Sequence, residues 1–199
     1  MGLFSKKLNL EELSEELQSY ILSGCAGIAE EILNDQPKSI EAGVEVLYFY
    51  LNILDREINK VFSKSKGDEL FNKTLTKCIY TTAKVVIDPD ASPQILTSVS
   101  KTMFDTFNNR QFVYSRCKSV SGSPFPSIGT MIFALCFYIH RELGKTSRTN
   151  VDAILIGEKK MDKNDLSDFP EPSFNIETQA YILSYISFMK LPKLLKRLR

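Results

Sequence analysis

One histidine and four cysteines are all that this chain brings to nucleophilic or soft-metal chemistry. Cys136 precedes His140 by four residues, one helical turn, a spacing at which an imidazole can meet a thiol and lower its pKa. The flanking residues argue for another role. Cys136 sits in the apolar run Ile128–Ile139, where a thiol acts as a small core group, and His140 adjoins Arg141 and Glu142 at the solvent edge. Cys25, Cys78 and Cys117 lie far apart, and no two of the four cysteines form a C-x-x-C pair. Phe137 stands three residues before His140, so the Glu-x-x-His step of a carboxylate-bridged di-iron bundle is missing. The residues predict no metal, no cofactor and no catalytic group.

Charged residues supply three further candidates. Arg110, Arg116 and Lys118 lead into the loop 119–127, where Ser121, Gly122 and Ser123 precede a helix start. Backbone N–H groups at a helix N-terminus favour anions, so these six residues form a candidate anion site, with an ordinary basic turn as the alternative. The loop carries two prolines and lacks the P-loop lysine, which argues against nucleotide hydrolysis. At the other end of the chain, Lys190, Lys193, Lys196, Arg197 and Arg199 alternate with Leu191, Leu194, Leu195 and Leu198. Such a basic amphipathic segment suits a membrane surface or an acidic protein partner, or it is a closing turn whose leucines pack on the fold. The third candidate is Asp55-Arg56-Glu57, set within a highly apolar stretch. A buried charge is costly unless paired, so one of these three is expected to be partly buried with a partner. Glu11/Glu15, Glu12/Glu16, Glu41 and Glu45 read as solvated acidic faces.

Helices must position these groups. Asn9 is a candidate N-cap before an apolar stripe from Leu10 to Ile32, with Glu11, Glu12, Glu15 and Glu16 in its first turns. A second stripe runs from Ile40 to Phe62 behind Ser39, and Tyr48, Phe49 and Tyr50 make it apolar around much of its circumference. The polar stretch Ser63–Gly67 reads as a break, with Asp68 capping a third helix that ends at Asp88-Pro89-Asp90. Ser92-Pro93 opens a fourth, which reaches toward Cys117. A fifth spans about 127–143 near the centre of the fold and stops at Gly144, a left-handed C-cap. Residues 151–161 fit a short helix, and the stretch Val151–Ile156 fits a strand equally well. Residues 161–174 form an acidic loop, and a last helix over 175–190 carries the basic tail. The expected architecture is all-α: one domain covering 1–199, an antiparallel bundle of six to seven helices with its core at about 9–160.

Composition narrows the function classes. Hydrophobic content of 43% with 25% charge is that of a globular protein, and a formal net charge of +1 argues against a nucleic-acid coat. Arg141, Lys145 and Arg148, with Phe112 and Tyr114, give basic and aromatic material but no recognised nucleic-acid motif. The longest apolar run has 12 residues, short of the roughly 20 that span a membrane. Met1–Lys7 leads straight into a polar helix start rather than a secretory leader, which with the unpaired cysteine spacing points to the cytoplasm. Residues 1–100 hold 10 basic and 15 acidic side chains, whereas 101–199 hold 15 and 9. A charge split of this kind suits self-association or a charged partner. The sequence therefore reads as a non-enzymatic interaction protein, with a small anionic ligand or a membrane surface as alternatives.

Overall fold

A computed structural model describes residues 8–28, 30, 39–117, 128–162, 165–169 and 191–196. It is an all-α bundle with no strand among the described residues. The helices are α1 (Leu10–Ile28), α2 (Ser39–Val61), α3 (Lys64–Val86), α4 (Pro93–Arg116), α5 (Met131–Glu142), α6 (Asp152–Leu155) and α7 (Leu191–Leu195).

Two of the expected starts are built as the sequence demands. Asn9 Oδ1 accepts the Glu12 amide at 2.9 Å, and Glu12 returns a carboxylate oxygen to the Asn9 amide at 3.0 Å, closing a capping box on α1. Ser92 Oγ accepts the Ile95 amide at 3.4 Å, with Pro93 at the first helical position of α4. Two other starts move. Residues 64–67 are the first turn of α3, not a break. Gly67 is buried there, and a Cβ on it would lie 3.0 Å from Ile58 Cγ2, so a polar, glycine-bearing turn brings α3 close against α2. The central helix α5 starts at Met131, with Thr130 as its cap, because Gly129 adopts a left-handed φ of 85°. Its amide donates to the Leu155 carbonyl at 3.1 Å, and Gly157, also left-handed, packs on it: a Cβ on Gly157 would sit 3.3 Å from Gly129 Cα. The ambiguous 151–161 stretch thereby resolves into the single turn of α6. Gly144 ends α5 with φ 75°.

Helix α2 is the organising element, packing on α1, α3, α4, α5 and α7. Every residue from Met131 to Ile139 is buried, so α5 forms the centre of the core. Tyr114 makes edge contacts with Phe49 and Tyr138, joining α4 to α2 and α5. Phe169 stacks on Phe133 and tilts against Phe137. The acidic stretch before it is not merely solvated: Asp165 is 2% exposed and ion-paired with Arg148, which also bonds Asp168 at 3.1 Å. The expected helix over 175–190 lies outside the described residues.

Candidate functional site

The most charged point in the interior is one that the sequence reading placed on a solvated face. Glu45 lies on α2 within the run Val44–Leu54 and is 2% exposed. Arg110 of α4 meets it with a two-pronged contact, Nε at 3.1 and 2.8 Å from the two carboxylate oxygens and Nη2 at 2.5 Å from Oε1. The guanidinium lies flat against Tyr138 of α5, 3.8 Å from the ring centroid. Arg141 adds a second cation 3.8 Å from Glu45 Oε1 and bonds Glu142 at 2.7 Å. Burial alone would loosen the Arg110 proton, but the charge of Glu45 and its hydrogen bonds outweigh that and hold the guanidinium protonated. Burial also keeps the phenols of Tyr48, Tyr114 and Tyr138 neutral by raising their pKa values. The cluster ties α2, α4 and α5 together. The signal for it in the sequence is one acid inside a nearly unbroken apolar run, a position that demands a cation.

Beside this cluster the surface opens into two adjoining depressions. A cleft of about 630 Å³ runs between α2, α4 and α5, lined by Glu41, Glu45, Tyr48, Thr106, Arg110 and Arg141 among others. It shares Ile40, Val44 and Val86 with a groove of about 370 Å³ where α1, α2 and α3 converge. The groove is apolar: Leu22, Cys25 and Ala26 from α1, Gly43 and Leu47 from α2, Val85 from α3. Ile40 is 54% exposed and Val85 72% exposed at its edge. The groove is thus apolar and open at its edge, with charged residues in the cleft beside it.

The other end of α2 has the opposite character. A polar trough between α2, α3 and α4 joins two depressions of about 800 and 590 Å³ that share Asp55, Asn59 and Gln111. Asp55 accepts from Asn59 at 3.1 Å and from Gln111 at 3.2 Å. Burial raises its pKa above the ordinary aspartate value, against the lowering effect of those amides. Arg56 donates to the Tyr114 carbonyl at 2.5 Å, a cation placed at the negative end of α4. The sequence led one to expect one partly buried, partnered charge in this triplet; the structure makes all three half-buried and partnered, Glu57 with Lys60.

The sequence-derived candidates separate in space. Arg110 is directed inward to Glu45 and is 7% exposed, so its charge is neutralised within the fold. Arg116 is exposed and stacks on Phe112 at 3.8 Å from the ring centroid. Lys118, Ser121, Gly122 and Ser123 lie outside the described residues. In the tail, Leu191 and Leu195 are buried in the core and α7 packs on α2, leaving Lys193 and Lys196 exposed. The leucine face is thus engaged by the bundle, and Lys190, Arg197 and Arg199 lie outside the described residues.

Groups capable of covalent chemistry are placed as core residues. All four cysteines are buried free thiols. Burial pushes the Cys117 thiol to about 11, the Cys78 thiol to about 12 and the Cys25 thiol well above its ordinary value. Cys136 is fully buried in α5, and His140 is half-buried on its last turn. No group of three metal-ligating side chains occurs among the described residues. No described helix is long and apolar enough to cross a membrane. Comparison with protein-family models, with curated proteins and with solved structures gave no match.

Proposed function

We propose that this chain is a non-enzymatic interaction protein whose working surface is the groove at the junction of α1, α2 and α3, and that the occupant is a helical segment of a protein, either a partner or a second copy. The observation that carries this reading is the exposure of Ile40 and Val85 beside a contiguous apolar groove. Apolar surface left open beside a satisfied core gains free energy when covered, at about 25 cal/mol per Å² before association costs. A helix laid in such a groove anchors through residues spaced three and four apart. Small side chains at Ala26 and Gly43 leave room for it. The neutral, buried thiols support the non-enzymatic part of the reading, and four free cysteines support a reducing, cytoplasmic setting.

Part of the charge split seen in the sequence is consumed inside the molecule. Glu45 from the acidic half is neutralised by Arg110 and Arg141 from the basic half. The apolar groove is therefore a stronger basis for association than net charge. A photo-crosslinking residue placed at position 85 tests this in cells. Covalent adducts with another protein or a second copy are expected from position 85, and not from exposed Glu158, which lines none of these depressions. Equal adduct yields from the two positions, or none from either, would contradict the proposal.

A further inference from the structure

We infer that the groove is selective for a basic amphipathic helix; this rests on the reading of the groove as a protein-binding surface and adds the charge of its occupant. Among the described residues lining the groove and the adjoining cleft, the charge without an ion-pair partner is acidic. Glu30 lines it, and Glu41 lies one residue beyond Ile40 in the adjoining cleft. Both carboxylates are exposed, and neither has an ion-pair partner among the described residues.

The cations of the neighbouring cleft are already engaged. Arg110 is closed against Glu45, and Arg141 is divided between Glu45 and Glu142. Across the cleft and groove together, Glu30, Glu41, Glu45 and Glu142 outnumber Arg110 and Arg141. Lys84, beside the groove residue Val85, lies over the Tyr80 ring at 4.7 Å and is not part of the lining. An occupant with lysine or arginine flanking its apolar stripe would meet Glu30 and Glu41 while its leucines or valines fill the space among Leu22, Val44, Leu47 and Val85. An acidic helix would meet like charge on the same rim, which gives discrimination as well as attraction.

Two synthetic helical peptides with one leucine stripe test this, one carrying lysine and the other glutamate on the polar face. Their binding to the full chain is measured by fluorescence anisotropy at low and high salt. The lysine peptide is expected to bind more tightly, with an affinity that falls as salt rises. Glu30→Gln with Glu41→Gln should weaken it about five- to tenfold and flatten the salt dependence. Val85→Asp should remove apolar anchorage and reduce binding of both peptides, the glutamate peptide more, because the new carboxylate repels it and offsets part of the loss for the lysine peptide.

If both peptides bind equally and Val85→Asp weakens both, the charge selectivity is overturned and the groove reading stands. If neither peptide binds, or Val85→Asp changes nothing, the groove reading falls and the inference with it. A lysine peptide that binds with no change in the Glu30→Gln, Glu41→Gln variant overturns the assignment to these two carboxylates. Anionic vesicles serve as the remaining arm. If Val85→Asp abolishes vesicle binding while the lysine peptide fails to bind, the occupant is a membrane surface, and both the inference and the protein-partner reading are overturned.

Discussion

The two halves of α2 solve the same problem in opposite ways. Near its N-terminal end Glu45 turns inward, closed against Arg110, while Ile40 and Glu41 stay at the surface. Near its C-terminal end the apolar groups turn inward, with Ile53 and Ile58 buried, while Asp55, Asn59 and Lys60 meet water among the amides of Asn108 and Gln111. Concavity alone does not identify a binding surface. The polar trough is the larger depression, yet Asp55, Arg56 and Glu57 along it already have hydrogen-bond partners within the protein. On the proposed reading, the smaller apolar groove is where covering the surface gains free energy.

The largest expected effect tests the inward-facing charges. Glu45→Ala leaves the Arg110 guanidinium buried without its counter-charge and should cost about 3–5 kcal/mol in urea unfolding. Adding Arg110→Met should recover much of that loss, because the double variant buries no lone charge. A loss below about 1 kcal/mol for Glu45→Ala would mean that the pair is solvated, erasing the contrast between the two ends. At the other end, Arg56→Ala removes a single bond to the Tyr114 carbonyl and should cost about 1 kcal/mol in the same assay.

A smaller effect on stability, and a larger one on function, is expected at the groove. Ile40→Asp combined with Val85→Asp alters exposed positions and should leave unfolding within about 1 kcal/mol of the parent. A larger loss would show these side chains to be part of the core. The smallest effect concerns Asp55. Its folded-state pKa is raised, mainly by burial, so protonation favours the folded state and that contribution fades as pH rises through the raised pKa. Relative to Asp55→Asn, the parent should therefore gain stability on acidification from neutral pH toward the aspartate range. Melting curves of the two proteins across that range check the sign, and an opposite trend would mean that the amide bonds outweigh burial.

The fold was legible wherever a local interaction determines it. Asn9 with Glu12, Ser92 with Pro93, and Gly144 each act within a turn, so spacing alone locates them. Boundaries that moved depend on distant neighbours: Gly67 serves the approach of α3 to Ile58, and Gly129 serves a contact with Gly157. The same division holds at the candidate site. The apolar context of Asp55-Arg56-Glu57 announced partnered charges, and the structure supplies the partners. Glu45 escaped because its cation comes from a helix 65 residues away in sequence. The groove escaped for a related reason. Leu22, Leu47 and Val85 come from three different helices, and only the meeting of three helix ends leaves a gap between them.

Quantitative capture from cell lysate, with the intact chain and the Ile40→Asp, Val85→Asp variant compared side by side, tests the central claim most directly. The account predicts that specific bound proteins, or a second copy of the chain, are retained by the parent and lost from an equally stable variant. Identical capture by both proteins would contradict the groove as the working surface.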